Sequence, residues 1–485
     1  EQRCMKKRHV PAARPQIVVR PVVAKYDAAQ TTPENAAHWS MATIWSADVE
    51  ANPQVRRTLR SRARYEAANN PWVNGMIATQ AYDIIGTGPR LQMSTGDSAL
   101  DELLSREFSA WAQSVGLAEI LHTARMSETR DGEIFLMLLY NPGVVGPVKL
   151  SVEPVECDRV TNYMEANLDE SDIDGVHLDR FGNPVWYDVL KYHPGGMNAG
   201  VPNDSVRIPA RYMLHMFRKE RPGQHRGIPE ITPALPLFAM LRRYTLAMVN
   251  KMENSANISG VITTNNVDFY EAEKADGTLQ KLSTEQELVL PRGSFPILPA
   301  TYDLKQLNLE NPTDSQTNFS LQVKTEVARC LNLPKNVALG DSSGYNYASG
   351  RLDYQAYDKF LWIERTKWER GVLNPVFRTW LEEFRLSLGA AERQKLGDLS
   401  RVAHKWFWDG REHVDPVKEA SAQALRLQNS TTTLAEEAAR EGLDWKTILH
   451  QRAEEKKLMQ ELGLLDDPSV GTAETEPNEE ENEEE

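Results

Sequence analysis

The stretch that decides the fold is Ile208–Leu235, IPARYMLHMFRKERPGQHRGIPEITPAL. Its first part, Tyr212–Phe217, has the short apolar run of a β-strand, and Arg218–Gly227 is a polar loop. Its last part begins a helix, because Thr232 is a suitable cap and Pro233 suits the first turn, where a missing N–H costs nothing. The stretch therefore predicts a junction between a region that contains strands and a long helix.

The chain before this junction alternates helical and strand patterns. Asn52-Pro53 begins one helix, and Asn69-Asn70-Pro71 ends it before a second helix starts. Apolar runs bounded by turn residues predict strands. The further helices are predicted at Val73–Ile84, Asp101–Trp111 and Ile120–Asp131, and the strands at Glu133–Tyr140, Val148–Val160, Val176–Leu178 and Val185–Tyr192. This order predicts an α+β fold in a chain that is mainly helical.

Two helices with short strands between them are predicted after the junction. Apolar residues recur at helical spacing from Leu237 to Met252, and again from a start near Asp314 to Pro334. The strands between the helices are predicted at Ile258–Ile262, Glu287–Leu290 and Phe295–Leu298.

A loop rich in glycine and tyrosine, Lys335–Ser349, precedes the strongest helical pattern, Gly350–Leu388. Asn374-Pro375 lies inside that helix, and because proline removes a backbone hydrogen bond, it predicts a kink. Shorter helices are predicted at Asp415–Gln428, Thr433–Glu441 and Asp444–Leu462.

Length and composition indicate several domains in a reducing compartment. The 485 residues exceed one ordinary core, and Cys4, Cys157 and Cys330 are too few and too widely spaced for a disulfide framework or a zinc site. No stretch approaches the roughly 18 to 20 apolar residues of a membrane span, so we expect a soluble protein without a membrane partner. The net charge of −14 argues against an extensive grip on DNA phosphates.

The two ends of the chain are compositionally biased. The first 25 residues carry seven basic side chains, which predicts an extended, solvated arm or, alternatively, contact with nucleic acid or an acidic partner. The last 13 residues carry eight glutamates and are predicted to be disordered.

Three groups of charged or titratable residues are predicted to have structural rather than functional roles. Five arginines of the first long helix are predicted to form a solvated helix face rather than a phosphate track. Three acids are predicted to lie in a solvated loop rather than to form a cation site. The three histidines near the strands are predicted to be structural. These residues are Arg56, Arg57, Arg60, Arg62 and Arg64, then Glu170, Asp172 and Asp174, then His193, His215 and His225. No metal site is predicted.

One motif suggests chemistry. Gly340-Asp341-Ser342-Ser343-Gly344 matches the G-x-S-x-G pattern of serine hydrolases, with histidines at 404, 413 and 450 further along the chain. That chemistry needs a strand before the serine, and the pattern predicts a helix there. No Gly-Lys dipeptide occurs, so a phosphate-binding P-loop is absent and the chain is not predicted to be an ATP-driven motor.

Four segments resemble the portal proteins of lambda-like tailed phages. They lie in order over about two thirds of the chain, and the opening stretch is the most specific. The segments are Asn70–Gly75 with Ile84–Gly88, Asp174–Leu190, Ile208–Leu235, and Gly340–Ser349 leading into the long helix.

The resemblance implies a set of regions. These are an N-terminal arm at 1–45, an α+β wing at 46–227, a first stem helix at 228–255, a clip at 256–312, a second stem helix at 313–333, a tunnel loop at 334–349, a kinked helix at 350–388, a helical crown at 389–470 and an acidic tail at 471–485.

The resemblance also implies a function without catalysis or cofactor. A twelve-subunit ring in the virion, assembled in the host cytoplasm, would pass double-stranded DNA and dock the terminase large subunit, then head-completion or adaptor proteins, beside capsid and scaffold proteins. The residues hypothesised to face DNA are Lys335, Asn336, Asp341, Ser342, Ser343, Tyr345 and Asn346. The alternatives are a serine hydrolase and an oligomeric scaffold with no DNA role.

Overall fold

The computed structural model describes residues 26–162, 171–197, 204–257, 261–264, 271–273, 279–281, 302–305, 314–410 and 416–464. Most of the basic arm, most of the clip and the whole acidic tail lie outside the described residues, as do Glu170, His413 and the strands predicted at Glu287–Leu290 and Phe295–Leu298.

Helices begin where the sequence supplies caps. The Asn52 side chain accepts a hydrogen bond from the Val55 N–H at 3.1 Å, and Asn70 does the same for Trp72 at 3.1 Å. The helix start predicted at Asn52-Pro53 is therefore confirmed, and the second helix starts at Pro71, two residues before the predicted Val73. The elements of this first part are α1 (Ala47–Glu50), α2 (Pro53–Asn69), α3 (Pro71–Ile85), β1 (Arg90–Met93), α4 (Ser98–Ser114) and α5 (Leu117–Asp131).

Two antiparallel sheets follow. The strands are β2 (Glu133–Tyr140), β3 (Leu150–Val155), β4 (Asp172–Ile173), β5 (Val176–Leu178), β6 (Pro184–Leu190), β7 (Ser205–Pro209) and β8 (Met213–Phe217). One sheet has the order β3-β2-β8 and the other β4-β5-β6-β7. Of the predicted strands, β2 and β5 are confirmed with their predicted bounds, and β3, β6 and β8 with end corrections of up to five residues. Strands β4 and β7 were missed.

The junction continues into a helical pair. It comprises α6 (Leu235–Asn257), β9 (Val261–Thr264), β10 (Glu271–Glu273), β11 (Leu279–Lys281), β12 (Tyr302–Lys305) and α7 (Asp314–Cys330), with β9 paired to β12 and β10 to β11. The prediction that Thr232 caps the helix is wrong. Its hydroxyl donates to the Pro229 carbonyl at 2.7 Å, and Thr232–Ala234 forms a 3₁₀ turn ahead of α6.

The long helix is divided into two parts. Its parts are α9 (Tyr347–Trp368) and α10 (Asn374–Phe384), with a π-helical turn, Glu369–Leu373, between them. A separate short helix, α8 (Lys335–Leu339), precedes it. Pro375 lies in the first turn of α10, where its missing N–H is tolerated, and the π turn ahead of it interrupts the regular ladder. The predicted interruption at Asn374-Pro375 thus takes the form of a π turn, and the bend itself stays a prediction.

The C-terminal region is not purely helical, which corrects the prediction for 389–470. It comprises α11 (Ala390–Leu396), β13 (His404–Phe407), α12 (Pro416–Gln428), α13 (Leu434–Arg440) and α14 (Trp445–Glu461). Strand β13 pairs antiparallel with β1, from Arg90 opposite Phe407 to Met93 opposite His404. The four residues of β13 offer too short a pattern to predict a strand, and their partner lies more than 300 positions earlier.

The largest hydrophobic core joins elements from both ends of the chain. Phe108 of α4 packs against Phe377 and Trp380 of α10 and Trp406 of β13, with ring centroids 5.2–5.7 Å apart. Because these rings are buried or half-buried and Leu396 and Trp408 lie in the same cluster, residues 396–408 are part of the same packed unit as the helices before the junction. Among the described residues, no helix has the length and apolar character needed to cross a bilayer.

Candidate functional site

The segment predicted as a tunnel loop is partly helical. Helix α8 occupies Lys335–Leu339, with Asn336 and Ala338 buried, and ends at Gly340, whose φ of +61° is the left-handed conformation that suits glycine. The prediction that Asn336 faces DNA is therefore wrong for its side chain, which is 6% exposed. Lys335 stays half-exposed at the start of the helix.

The exposed part of this segment is the seven-residue turn Gly340–Asn346, called the 340–346 turn below. The Asp341 carboxylate accepts from the Ser343 N–H at 2.8 Å, and hydrogen bonds from Ser343 lower the pKa of Asp341, which keeps it ionised. The Tyr345 hydroxyl donates to Asp353 at 3.0 Å.

The end of the turn is a helix cap. Asn346 and Ser349 form a capping box, with the Ser349 N–H donating to Asn346 Oδ1 at 2.8 Å, so α9 starts at Tyr347 rather than Gly350. The turn is therefore short and hydrogen-bonded, and it exposes Asp341, Ser342, Ser343 and Asn346.

The serine-hydrolase alternative finds no support in this geometry. Ser342 and Ser343 lie in a turn between two helices, whereas a nucleophile elbow needs a strand before the serine. His404 is engaged elsewhere, because its Nε2 lies 3.0 Å from Asn374 Oδ1. We expect no labelling of the native protein by a fluorophosphonate probe, measured by intact mass. Stoichiometric labelling that disappears in Ser342→Ala or Ser343→Ala would restore the hydrolase hypothesis.

A buried charge network lies where α2 crosses the sheets. Glu133, at the start of β2, accepts from Arg226 Nη2 at 2.6 Å, from the Gly227 N–H at 2.9 Å and from Arg60. Glu133 and Arg226 are each fully buried. We call Arg56, Arg60, Glu133, Asp174 and Arg226 the Glu133 network.

Burial and neighbouring charges shift the pKa values of residues in the Glu133 network. Burial alone would raise the pKa of Glu133, but Arg226 and Arg60 hold it well below its ordinary value. Burial, with the nearby Arg226 charge, lowers the pKa of Arg56 to about 10, which still leaves it charged at neutral pH. The network therefore consists of ionised groups that compensate one another away from water.

The predicted solvated arginine face is wrong for two of its members. Arg56 and Arg60 are 1% and 3% exposed, Arg56 pairs with Asp174, and only Arg57 and Arg62 have the predicted exposure. Arg64 is half-buried, with its Nε 2.6 Å from Asp131 Oδ1.

The acidic cluster at 170–174 is not a solvated loop in its described part. Asp172 is buried and accepts from the Gly175 N–H at 3.3 Å, and Asp174 belongs to the Glu133 network with a φ of +50°. Arg56 and Arg226 both pair with Asp174, so the oxygens of this carboxylate are not free for a cation.

The three histidines each contact a carboxylate. His215 Nε2 lies 2.9 Å from Glu133 Oε2, His225 Nδ1 2.8 Å from Asp48, and His193 Nε2 3.0 Å from Glu156. His193 and Glu156 also approach Asp158, with candidate ligand atoms within 4.8 Å of one another.

The surroundings of His193, Glu156 and Asp158 argue against a metal site. Arg64 Nη2 lies 2.6 Å from Asp158 Oδ2, so a side-chain cation already neutralises this carboxylate. We interpret the contacts of the three histidines with carboxylates as structural.

A second charge network was not foreseen from the sequence. Arg125 of α5 donates to Glu128 and Glu230, both at 2.8 Å, and to Gln80 Oε1 of α3 at 3.0 Å. Lys367 of α9 also reaches Glu128. We call these five residues the Arg125 network. The feature of the sequence that could have indicated this network is the presence of charged residues within otherwise apolar helical faces.

The Arg125 network also contacts the end of α7. Gln80 Nε2 donates to the Leu331 carbonyl at 3.0 Å, just after α7 ends. The end of the helical pair is thereby fixed to α3 and, through Gln80, to Arg125.

Five residues of the opening stretch join the two networks. Arg226 enters the Glu133 network and Glu230 the Arg125 network, with Gly227-Ile228-Pro229 between them. Gly227 packs so closely on Gly132 that a Cβ there would lie 2.7 Å from the Glu133 Cβ, with closer overlap at the Gly132 carbonyl. This packing leaves no room for a side chain at residue 227.

Known proteins resemble the chain over most of its length. A probable portal protein of Halomonas phage phiHAP-1 is 22% identical over 470 residues, which cover 88% of this chain and 86% of the relative.

Solved structures also match. A chain from the virion of a native gene transfer agent particle has a TM-score of 0.44 at 15% identity, covering 79% of this chain and 93% of the other. A chain from the neck of the native particle, computed with C12 symmetry, has a TM-score of 0.44 at 16% identity, covering 81% and 94%.

The family model described as "Phage portal protein, lambda family" matches residues 32–361, about two thirds of the chain. The match contains the helices before the junction, both sheets, the helical pair, the 340–346 turn and the first part of α9. The chain therefore belongs to the lambda family of phage portal proteins.

Proposed function

We propose that twelve copies of this chain form a ring at one capsid vertex, through which double-stranded DNA is packaged and ejected. The ring docks the terminase large subunit during filling and head-completion or adaptor proteins afterwards, beside capsid and scaffold proteins. The regions are those implied by the resemblance, with two changes. Residues 390–410 are grouped with the wing, and the tunnel loop is reduced to the 340–346 turn.

The observation that carries the proposal is the exposed surface of the α6–α7 pair. Tyr244 and Phe319 pack edge to face with centroids 4.9 Å apart, which joins the two helices. Other apolar side chains of the pair remain in solvent, among them Leu246, 58% exposed, and Val249, 45% exposed. Because contiguous exposed apolar surface indicates a partner, we infer that neighbouring subunits cover this pair.

Electron microscopy of the purified protein tests the ring directly. We expect a twelvefold ring with an open channel. A closed particle or a low-order oligomer would favour the scaffold with no DNA role and would contradict the proposal.

The 340–346 turn is proposed to face the channel. It carries one acid, Asp341, and small polar side chains, so it offers DNA phosphates no strong contact. DNA that has to slide must not be held, and a weakly interacting lining meets this need. The nearby Lys335 is the one basic residue of the hypothesised DNA-facing set.

Adding positive charge to this turn is expected to slow DNA movement. A hydrogen bond to a charged group contributes about 1.5–3 kcal/mol, and about 1.4 kcal/mol corresponds to a factor of ten. Ser342→Arg/Ser343→Arg rings should therefore translocate DNA about tenfold more slowly or worse at low salt, measured by packaging in assembled procapsids. The slowing should shrink as salt rises. Ser342→Asn/Ser343→Asn is the matched control, and equal rates for the two variants would contradict a channel-facing turn.

The clip at 256–312 is proposed to dock the terminase. Its described strands form two short antiparallel pairs, β9 with β12 and β10 with β11, and within the described part of the clip neither pair has a third strand. We propose that a strand of another chain adds to one of these pairs. Removal of residues 263–285 is expected to abolish terminase binding in a pull-down with intact rings. Unchanged binding would move the docking site elsewhere.

A further inference from the structure

The segment 26–46, called the arm below, carries large apolar side chains that its own chain does not bury. None of the residues 26–46 is buried, and Ile44 and Met41 are 102% and 86% exposed. Trp39 and Trp45 are more than half exposed. Indole rings contribute strongly when buried, so two exposed tryptophans beside an isoleucine and a methionine indicate a surface that another molecule completes.

The base of the arm is held in place. The Asp48 carboxylate accepts from the N–H of His225 at 3.0 Å and lies 2.8 Å from its Nδ1. Arg221 donates to the Trp45 carbonyl at 3.0 Å and also pairs with Glu50. The arm is thus anchored to the loop of the opening stretch while its apolar side chains remain exposed.

A cavity lined mainly by apolar side chains lies elsewhere on the same chain. It has a volume of about 180 Å³ and lies between α4, the turn before β3 and α10. Trp111, Trp380 and Phe384 form buried walls, and Ala110 and Ser114 lie on its exposed helical edge.

The size of this cavity suits one side chain. A cavity of roughly 150 Å³ holds a benzene ring, whereas small-molecule sites usually exceed roughly 300 Å³. An aromatic or large aliphatic side chain therefore fits better than a metabolite.

We propose that the arm of one subunit inserts a large apolar side chain, foremost that of Trp45, into this cavity on a second copy of the chain. Each chain supplies one arm and one cavity, so a head-to-tail contact repeated around a closed ring leaves neither unmatched. The segment 26–46 contains no lysine or arginine and has two acids, Asp27 and Glu34, because the basic side chains near the start of the chain all lie in residues 1–25. This composition disfavours nucleic acid as the partner of the apolar side chains of residues 26–46. The inference rests on the proposed ring.

Cross-linking between two tagged versions of the full chain tests the contact. One version carries Ser46→Cys, at the exposed residue next to Trp45, and the other Ser114→Cys, each with Cys4→Ser and Cys330→Ser, and Cys157 is left in place because it is buried. After co-assembly and treatment with a short bismaleimide, we expect a dimer that contains both tags. Phe181→Cys, at an exposed apolar residue outside the arm, replaces Ser46→Cys in the control and should give no such dimer.

The possible failures are distinguishable. Rings seen by electron microscopy without the mixed dimer, or with an equally strong control band, overturn the arm contact and leave the proposed function intact. Absence of rings in the native chain instead counts against the proposed function.

A second measurement does not depend on cysteine chemistry. Ile44→Ala/Trp45→Ala and the cavity-filling Ala110→Trp should each raise the concentration at which half the chains form rings by about tenfold. Their melting temperature as isolated subunits should not change, because all three positions are exposed. Phe181→Ala and Ala110→Ser are the controls. Ring assembly at the native concentration in either test variant overturns the inference.

Discussion

Glu133→Gln is expected to lower the local free energy of unfolding around β2 by about 3–5 kcal/mol, because it leaves two buried arginines without their shared carboxylate. Glutamine keeps the shape of the side chain but removes the charge that compensates Arg60 and Arg226. Neither guanidinium can reach water, since both side chains are almost completely buried. Hydrogen exchange of the β2 amides measures this loss directly, which matters because a chain of several regions does not unfold in one step.

The matched control lies on the neighbouring strand. Glu153→Gln removes a carboxylate of β3 that is half exposed and 3.9 Å from Arg159. Exposed pairs contribute about 0–1 kcal/mol, so this variant should exchange like the native protein. If the two variants behave alike, the Glu133 network does not stabilise the sheet in the way its geometry indicates.

Acid should weaken the same region in two stages. Burial lowers the pKa of His215 below its ordinary 6.5, so its contribution to stability is present above about pH 6.5 and falls as the unfolded chain alone takes up a proton. The pKa of Glu133 is also lowered, so its contribution is present above its ordinary value near 4.5 and is lost as pH falls towards its folded pKa. Protection of β2 amides should therefore decline first below about pH 6.5 and more steeply below about pH 4.5. In His215→Gln the first stage should be absent.

Secondary structure was largely predictable because its causes are local. Asn52-Pro53, Asn69-Asn70-Pro71 and the apolar run Glu133–Tyr140 each carry their signal within a few residues, and each is confirmed. The capping box of Asn346 and Ser349 was equally local, so the start of α9 at Tyr347 was within reach of the sequence.

The charge networks were not predictable because their partners are distant along the chain. Arg226 and Glu133 are separated by 93 positions and Arg56 and Asp174 by 118. Helical spacing groups the arginines of α2 without telling which face is buried, so solvation was the simpler interpretation. The pairing of β13 with β1 was missed for the same reason. The exposed 340–346 turn lies within the loop predicted at Lys335–Ser349, and its role stays a prediction. Burial of Asn336 depends on how α8 packs, which no local pattern records.

Gly227→Ala should destabilise the junction by about 3 kcal/mol or more, at or above the upper end of ordinary overpacking. The added Cβ would lie 2.7 Å from the Glu133 Cβ and overlap the Gly132 carbonyl, so backbone rather than a flexible side chain would have to move. From the opposite side, Gly132→Ala would place its Cβ 2.8 Å from the Ile228 Cα, in a residue whose φ is +92°. Because both variants separate the same two backbone segments, we expect both to lower the melting temperature, and the double variant should not recover it.

The pattern of exchange distinguishes a junction from an ordinary tight contact. Gly227 is flanked by Arg226 of the Glu133 network and followed closely by Glu230 of the Arg125 network, so a displaced backbone should loosen both. We expect faster hydrogen exchange in β2 and in α5 together. Gly75→Ala is the control, since Gly75 is exposed within α3 with nothing within 4 Å of an added Cβ, and alanine there should stabilise by about 0.5–1 kcal/mol. Faster exchange confined to one of the two networks would show that they are independent. Residues 226–230 would then not couple the sheet that contains β2 to α5.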